Sequence, residues 1–242
     1  MYNILELNML VLGIETSCDE TAVALVEDGR QVLSSLILSQ IYKHKDWGGV
    51  IPELASRLHL DAINDLIKKL EQETKKSIKD IDAIAVTQGP GLVGSLMVGM
   101  NVAKVLAWIH NKPLIPVNHL HGHICANYLG TDIQPPFLCM LASGGHTQII
   151  RVDSYTEMMI LGETVDDAAG EAFDKVARLM DLPYPGGPEL DKLAQSTVIA
   201  RTEGTKQSSY SFPIAMPKSI NFSFSGLKTA VLRLKEQIGD EV

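Results

Sequence analysis

Hydrophobic and polar positions along the first forty residues predict a set of short strands. Three runs rich in β-branched and other apolar residues follow one another at residues 9–16, 21–30 and 31–40. Asp28 and Gly29 separate the second run from the third and are typical of a tight hairpin turn. The pattern therefore predicts a meander of three strands.

Helical periodicity follows the meander. Apolar positions over 51–76 recur with the period of an amphipathic helix, and Pro52 lies in the first turn, where proline is favoured. Residues 80–90 and 113–118 predict two further strands, and the largely apolar run 92–111 predicts a buried helix between them. The order βββαβαβ is that of a ribonuclease-H-like unit, in which parallel crossovers follow a meander.

The same pattern restarts after a polar linker at 132–136. Residues 137–154 predict two strands around a small polar turn, 157–164 a third strand, and 166–182 a helix. The remaining residues contain the motif PYPGGPELDKLAQ, a polar loop and a helix in SGLKTAVLRLKEQ. The two crossover strands that would complete a second unit are not recognisable after this helix.

This repetition predicts an α/β chain with an actin-like ATPase (ASKHA) fold built from duplicated ribonuclease-H-like units. We expect residues 9–131 to form the first lobe and residues 132–242 a second, incomplete lobe with a helical insertion. A repeat that stops inside its second copy suggests a truncated protein. Residues 1–8 are expected to be an N-terminal extension, because Met9 opens the first predicted strand.

Composition narrows the classes of function. The chain has 242 residues and a formal net charge of −8, so its surface as a whole should not attract nucleic acid, and contact with RNA would need a basic patch or a partner. Cys18, Cys125 and Cys139 form no C-x-x-C motif, which favours a reducing, cytoplasmic environment. Neither a signal peptide nor a membrane span of about 18 apolar residues is predicted.

Three histidines occupy alternating positions in the segment VNHLHGHICAN. On a helix, His119 and His123 share a face at i and i+4, whereas His121 points elsewhere. Asn118 lies where a helix N-cap is expected, and Gly130 where the helix would end. Such a pair suits zinc or iron, although spacing alone leaves a partly buried pair or a surface cluster as alternatives.

Two small polar turns lie at equivalent places in the two predicted units. ETSCDET at 15–21 and SGGHT at 143–147 place hydroxyl groups and free backbone N–H groups at strand ends. Each alone could be a simple hairpin, but their duplication favours a phosphate or nucleotide cleft between the lobes. Fold analogy alone would also allow a sugar or acetate kinase.

Seven motifs make the resemblance specific. They occur in order as GIETSCDETAVAL, GGVIPELASRLH, TQGPGLVGSLMVG, NHLHGHICA, LASGGHTQI, DDAAGEAFDKVARLMDLPYPGGPELD and FSFSGLKTA. Together they resemble the TsaD family of bacterial tRNA threonylcarbamoyltransferases, whose relatives form the Kae/Qri group. The resemblance extends over residues 9–242.

The resemblance implies an enzyme that transfers the threonylcarbamoyl group of threonylcarbamoyl-AMP to the N6 amine of the adenosine 3′ of the anticodon in tRNAs that read ANN codons. It implies one divalent metal, Fe²⁺ or Zn²⁺, with ATP or ADP as a further candidate ligand. It also implies tRNA, an inert TsaB-like paralogue in a heterodimer, a small TsaE-like ATPase and a TsaC-like adenylate synthase as partners, and no membrane.

The family's metal ligands carry over to His119 and His123, the pair that the helical spacing selects. Its third ligand, an aspartate near the C-terminus of relatives, has no counterpart in this chain, so we expect these 242 residues alone to be inactive. Asp19 and Glu20 are candidate catalytic residues that could steer the incoming amine, and Thr16 and Ser17 are expected near the phosphates or the acyl group.

The substrate-binding positions implied by the resemblance are Leu141, Ala142, Ser143, Gly144, Gly145, Asp174, Gly187 and Asp191. Glycines without a Cβ allow close approach of an acyl phosphate, and carboxylates suit ribose hydroxyls. Residue type alone favours a charged residue on a helix surface for Asp174 and an ordinary turn glycine for Gly187.

Two alternatives from other functional classes remain. A metalloprotease of the H-E-x-x-H type needs a glutamate directly after the first histidine, and Leu120 occupies that position. A non-catalytic, ATP-binding scaffold paralogue would keep the fold but typically lacks the H-x-x-x-H pair that this chain retains.

Overall fold

The structure, a computed structural model, describes residues 9–200, 212 and 214–238, with the side chains of 196–200 and 238 excepted. The chain divides into two compact units, Met1–Gln134 and Pro135–Val242. Each unit is described by itself.

A five-stranded mixed sheet forms the centre of the first unit. Its strands are β1 (Leu10–Glu15), β2 (Glu20–Glu27), β3 (Gln31–Ser39), β4 (Ala83–Gly89) and β5 (Leu114–Asn118). They lie in the order β3-β2-β1-β4-β5, with β1 antiparallel to β2, β2 antiparallel to β3, and β4 parallel to both β1 and β5. This is the predicted meander with parallel crossovers. Asp28 and Gly29 both have left-handed φ angles, of 52° and 69°, as the predicted hairpin requires.

One face of this sheet carries the hydrophobic core. The helices of the unit are α1 (Ile41–His44), α2 (Pro52–Thr74), α3 (Val93–His110) and α4 (His119–Cys125). Leu12 and Ile84 of the sheet are fully buried in a cluster with Ile63 of α2 and Ala103 of α3. Helix α2 begins at Pro52, as predicted, because the first helical position does not require a backbone N–H donor.

The prediction that the apolar helix over 92–111 is buried is wrong for the outer face of this helix, α3. Ala103 and Ala107 of α3 are in the core, but Val93, Met97 and Trp108 are 74%, 56% and 83% exposed. The helix is also long and apolar enough to cross a membrane by length and composition, which corrects the expectation that no segment meets this test. Core helices of soluble proteins pass the same test, and the buried alanines account for the apolar composition of the inner face.

The opposite face of the sheet is lined by small residues. Gly13 pairs with Ala24 on one side and with Ala85 on the other, so a row of glycine and alanine crosses three strands. Because side chains alternate along a strand, Glu15 points to this same face as Gly13. The sheet therefore leaves room above its centre, and a carboxylate lies at the edge of that space.

The second unit contains a smaller antiparallel sheet. Strands β6 (Phe137–Ala142), β7 (Thr147–Val152) and β8 (Met158–Glu163) lie in the order β6-β7-β8. Helices α5 (Ala169–Leu179), α6 (Gly186–Ala200) and α7 (Ser225–Ile238) follow. Within the described ranges this sheet has the meander strands of a second ribonuclease-H-like unit and no parallel crossover strand. Much of the predicted polar loop lies outside the described residues.

Candidate metal and adenylate sites

The histidine pair lies on a short, well-capped helix. The Asn118 side chain accepts hydrogen bonds from the backbone N–H groups of Leu120 at 2.9 Å and His121 at 3.4 Å, as the N-cap prediction requires. Helix α4 ends at Cys125 and a 3-10 turn continues to Tyr128, so the helical segment stops before Gly130. This cap fixes the direction of the helix and with it the face that carries the histidines.

The Nε2 atoms of the two predicted ligands face each other. Nε2 of His119 lies 3.1 Å from Nε2 of His123, and the ring planes are nearly perpendicular at 82°. Two imidazole nitrogens that bond one tetrahedral metal at about 2.0–2.1 Å are themselves about 3.3 Å apart. The observed pair is therefore close to the spacing of two ligands of one ion. His121 is exposed, in keeping with its reading as a neighbour of the pair.

A carboxylate orients the first histidine. Oε2 of Glu15, at the end of β1, lies 3.4 Å from Nδ1 of His119. A carboxylate accepts hydrogen bonds, so this contact favours the proton on Nδ1 and leaves the lone pair on Nε2, the atom that faces His123. Carboxylate–histidine pairs of this kind commonly support metal-binding histidines.

Glu15 is itself held by several donors. Its oxygens accept hydrogen bonds from the Ser17 backbone N–H and the Thr87 hydroxyl. Burial raises the pKa of Glu15, but the hydrogen bonds from His119, Ser17 and Thr87 outweigh it and lower the pKa to about 2. The Ser17 hydroxyl also lies 3.2 Å from Nδ1 of His119. Glu15 is therefore an ionised, fixed acceptor at neutral pH.

A cavity of about 350 Å³ lies beside this group, within the first unit. Its lining is mostly apolar and includes Gly13, Ala24 and Ala85 of the sheet and Gly122 of α4, with Glu15, Thr87, His119 and His123 as the polar exceptions. The glycines and alanines of the lining keep the space open next to the two Nε2 atoms. The polar groups are therefore concentrated at one place in an otherwise apolar wall.

The donor set fits a metal ion at two coordination positions. Both Nε2 atoms converge and the Nδ1 atom of His119 faces an acceptor, as in histidine sites for zinc or iron. Among the described residues, no group of three or more His, Cys, Asp and Glu side chains is arranged to hold a metal. The remaining positions would have to be filled by a ligand or by other residues.

The two candidate catalytic acids lie on the turn that follows β1. Asp19 is half-buried and Glu20 is exposed at the first position of β2. The hydrogen bonds resolved for the described residues do not join either carboxylate to the histidine pair. Thr16 and Ser17, in contrast, are buried, and Ser17 reaches His119.

The predicted adenylate positions 141–145 span the end of β6 and the first residues of the tight turn that follows it, in the second unit. Leu141 is buried, whereas Ala142, Gly144 and Gly145 are exposed. The turn is closed by a hydrogen bond of 2.8 Å from the Ser143 backbone N–H to the His146 carbonyl. A Cβ at Gly144 or Gly145 would meet nothing within 4 Å, so the packing of the chain does not require glycine there.

This turn packs on the N-terminus of α5. The Gly170 backbone N–H donates to the Ser143 carbonyl at 3.1 Å, and the Ala169 N–H donates to the Thr147 hydroxyl at 2.8 Å. A Cβ at Gly170 would lie 2.7 Å from the Ser143 carbonyl oxygen, so only glycine allows this approach. The two exposed glycines are thereby placed near a helix N-terminus, where backbone dipoles favour an anion.

A hydrogen bond between α5 and the start of α6 brings two further predicted positions, Asp174 and Gly187, close together. Oδ1 of Asp174 accepts a hydrogen bond of 2.8 Å from the Gly186 backbone N–H, which brings the start of α6, and with it Gly187, next to this carboxylate. A Cβ at Gly187 would meet nothing within 4 Å, whereas one at Gly186 would clash with Ala177. Asp191 is exposed on α6 and accepts from Gln195 at 2.8 Å.

Sequence reasoning missed Glu15 and Thr87. The signal for Glu15 was its place at the end of an apolar strand, where an ionisable side chain needs partners. Thr87 occupies a similar place at the end of β4. Their partners could not be read from the sequence, because Glu15 meets His119 only after the strands pair.

Comparisons with known proteins identify relatives of this chain. Residues 31–241 match the family model described as TsaD, tRNA N6-adenosine threonylcarbamoyltransferase. Proteins of that name from Dictyoglomus turgidum and Clostridium perfringens are 51% and 53% identical to the chain. The alignments cover 96% and 92% of this chain, and 68% and 64% of those relatives. The chain thus spans about two thirds of the length of the curated relatives that it matches.

A solved structure supports the fold. The (R)-2-hydroxyglutaryl-CoA dehydratase component A from Acidaminococcus fermentans aligns over 96% of this chain and 70% of its own, with a TM-score of 0.51 and 14% identity. At that identity the likeness bears on the fold alone, and it confirms the expected actin-like α/β class. The match to the family model and the identity to its members go further: the chain belongs to the TsaD family.

Proposed function

We propose that the protein takes part in transfer of the threonylcarbamoyl group from threonylcarbamoyl-AMP to the N6 amine of the adenosine 3′ of the anticodon in ANN-reading tRNAs. The observation that carries this proposal is the convergence of His119 and His123 in a chain that belongs to the TsaD family. It is an acyl transfer, in which the amine attacks the carbamoyl carbon, the bond to phosphate breaks and AMP leaves.

In this proposal the adenylate contacts the second unit. The exposed turn at Gly144 and Gly145 offers backbone N–H groups to the phosphate, and the N-terminus of α5 adds a favourable dipole. Asp174 uses one oxygen to hold Gly186, and its other oxygen can accept from a ribose hydroxyl. Gly187 and Asp191 would complete the nucleoside contacts.

His119 and His123 would hold the metal through Nε2, with Fe²⁺ and Zn²⁺ as the candidates. A bound divalent cation would polarise the carbamoyl carbonyl or neutralise phosphate charge. Glu15 keeps the His119 ring in place from the other side, and Ser17 limits its rotation through the same Nδ1 atom. The small side chains of the cavity leave space for an acyl group next to these nitrogens.

The chain needs no side-chain nucleophile for this reaction, because the mixed anhydride is already activated. Burial is the largest of the causes that raise the pKa of the Cys18 thiol, to about 12, so Cys18 is not a thiolate at neutral pH. Asp19 and Glu20 stay candidates for steering the amine. Their nearness to Ser17 in the chain supports this role.

A metalloprotease is a weaker proposal for the same residues. Leu120 follows the first histidine, and the carboxylate nearest to the pair, Glu15, is occupied by three donors and faces Nδ1. It is therefore not available as a base beside the metal. The scaffold reading is weakened because the histidine pair is present and converges.

We also propose tRNA, a TsaB-like paralogue, a TsaE-like ATPase and a TsaC-like synthase as partners, in the cytoplasm. The formal charge of −8 favours an RNA contact shared with a partner. The exposed apolar residues of α3 favour a protein partner.

The test is nucleoside mass spectrometry of total tRNA after depletion of the gene that encodes this sequence. We expect threonylcarbamoyladenosine to disappear and to return with the wild-type gene or with a Glu53→Gln control, which changes an exposed ion pair. The His119→Ala variant should fail to restore it. An unchanged level on depletion would contradict the proposal.

A further inference from the structure

Consecutive residues of the turn between β1 and β2 are hydrogen-bonded to helices α2 and α3 and to the residues that precede α3 and α1. The Thr16 hydroxyl donates to the Ser95 carbonyl at 2.8 Å. The Ser17 carbonyl accepts from the Leu92 N–H at 2.7 Å, and the Asp19 carbonyl accepts from the Gln40 N–H at 2.9 Å. Between them, the Cys18 carbonyl accepts from Nε2 of His59 at 2.9 Å. Three of these four contacts use backbone donors or hydroxyl groups. His59 is the only imidazole among them.

The hydrogen bonds of His59 have a defined direction. A carbonyl oxygen only accepts, so Nε2 of His59 carries the proton that it donates to Cys18. Nδ1 is then an acceptor, and it receives the Thr21 hydroxyl at 2.7 Å and the Gln40 side-chain amide at 3.3 Å. The imidazole is thus a neutral ring with one tautomer.

A second buried histidine, His44, fixes the orientation of the Gln40 side-chain amide that donates to His59. The Ile51 backbone N–H donates to Nδ1 of His44 at 3.3 Å, so Nε2 of His44 donates to Oε1 of Gln40 at 3.2 Å. This assigns the amide oxygen and nitrogen of Gln40, and its nitrogen donates to Nδ1 of His59 at 3.3 Å and to the Ala55 carbonyl at 3.4 Å. The donors of His44, Gln40 and His59 therefore form one path to the Cys18 carbonyl, with a side branch from Gln40 to Ala55.

Because the network is buried, breaking any of its hydrogen bonds would destabilise the fold. His44 and His59 are fully buried and Gln40 is 3% exposed. Burial also lowers the pKa of His59, which keeps the ring neutral. An unpaired donor in such a place is costly, so each member holds the next in one orientation.

The network ends at the Cys18 carbonyl, which lies next to two residues of the candidate site. Cys18 lies between Ser17, whose hydroxyl reaches Nδ1 of His119, and Asp19, a candidate for steering the amine. A shift of the Cys18 peptide would move both neighbours. His59 itself contacts neither the histidine pair nor the cavity wall.

We propose that His59 is a positioning residue of the candidate site, acting through the Cys18 carbonyl on the turn that presents Ser17 and Asp19. The effect on transfer rests on the proposed function, whereas the effect on the turn does not. Misplacement of a reacting group by about 1 Å can lower a rate about 100-fold, so loss of the bond should reduce kcat by at least about tenfold.

Two amide substitutions separate positioning from packing. In His59→Gln, the amide nitrogen can take the place of Nε2 and keep the bond to Cys18 but lose the acceptor for Thr21. In His59→Asn, the amide oxygen can take the place of Nδ1 and keep the Thr21 bond but lose the donor to Cys18. Each variant gives up one side of the ring, so their thermal destabilisation should be similar.

We expect His59→Gln to retain most of kcat and His59→Asn to lose it, with His110→Asn on α3 as a control that leaves kcat unchanged. Equal kcat in the two His59 variants would overturn the proposal. A structural readout is independent of activity: amide hydrogen exchange at Cys18–Glu20 should accelerate in His59→Asn alone, and two-dimensional ¹⁵N NMR should show the Nε2–H tautomer of His59 in the wild type. Transfer is assayed on the protein expressed from the gene that encodes this sequence, with its partners present. If that protein transfers nothing, the proposed function fails while the exchange and tautomer data still decide this inference. Unchanged exchange in His59→Asn or an Nδ1–H tautomer would refute it.

Discussion

Nδ1 of His119 lies 3.4 Å from Oε2 of Glu15, although 104 positions separate the two residues along the chain. The contact joins the end of the first strand to the helix that carries both candidate metal ligands. It assigns Glu15 a function that is distinct from theirs, because the carboxylate holds the ring from the side away from the second histidine.

Replacement of Glu15 by glutamine should weaken metal binding. The carboxylate accepts from Ser17 on one oxygen and from Thr87 and His119 on the other, and an amide can accept on only one side. Loss of such supporting partners typically lowers metal affinity by about 10- to 100-fold. Calorimetric titration of the apo-protein with Zn²⁺ or Co²⁺ measures this, with Glu53→Gln as the control. Equal affinity in Glu15→Gln and the wild type would contradict the role of Glu15.

Glycine substitutions in the second unit should separate ligand contact from packing. Gly144→Ala and Gly145→Ala place a methyl group in open space, so the fold should be unaffected and adenylate binding should weaken. Gly170→Ala places a Cβ 2.7 Å from the Ser143 carbonyl oxygen, so we expect a loss of about 1–3 kcal/mol of stability. Thermal unfolding and titration with a non-hydrolysable adenylate analogue measure the two effects. A destabilised Gly144→Ala protein would argue that this glycine is structural.

The start of α7 should depend on Asp166 and on pH. The carboxylate accepts from the Ser223 hydroxyl at 2.5 Å, the Phe224 N–H at 2.7 Å and the Ser225 hydroxyl at 2.7 Å. Burial raises the pKa of Asp166, but these hydrogen bonds outweigh it and hold the pKa well below its usual range. The unfolded pKa is about 3.9, so this stabilisation is fully present above that pH and is lost as the pH falls toward the folded value.

Asp166→Ala should cost about 1 kcal/mol at neutral pH, since the site is exposed and acts as a helix cap. Chemical unfolding of the wild type and Asp166→Ala at pH 7 and pH 3 measures the difference. The gap between the two proteins should narrow at pH 3. A gap that grows on acidification would show that the sign is wrong.

Substitutions on the two faces of α3 should differ in how much they destabilise the protein. Trp108 is 83% exposed, so Trp108→Ser should change the free energy of unfolding by no more than about 0.5 kcal/mol. Ala103 is fully buried, and Ala103→Leu should cost about 1–3 kcal/mol by overpacking. Urea unfolding compares the two variants. Strong destabilisation by Trp108→Ser would mean that the outer face is also covered within the protein.

The sequence predicted the strands and helices well because their periodicity reflects local burial. The alternating strand residues and the amphipathic α2 appear where the pattern placed them. The convergence of His119 and His123 was also predictable, since the i, i+4 spacing and the Asn118 cap are local features. That the pair binds a metal stays a prediction. These elements needed no knowledge of distant contacts.

Features that depend on tertiary pairing could not be predicted. Glu15 and Thr87 gain their roles only when β1, β4 and α4 meet. A largely apolar helix such as α3 carries little signal for which face is covered, so the helix was predicted to be buried and the exposure of Trp108 was missed. His59 occupied an ordinary position of an amphipathic helix, and only the fold reveals the donor that it provides.

Helix α4 has only seven residues, fewer than an isolated helix needs to persist in water. Its order must come from anchoring, and the single fully buried side chain on it is Ile124. The affinity of the histidine pair for an ion and the free energy of docking this short helix are therefore thermodynamically linked. An ion at one hundred times its Kd would stabilise the docked form by about 2.7 kcal/mol, and a cavity created at Ile124, with no histidine altered, would reduce the affinity for the ion.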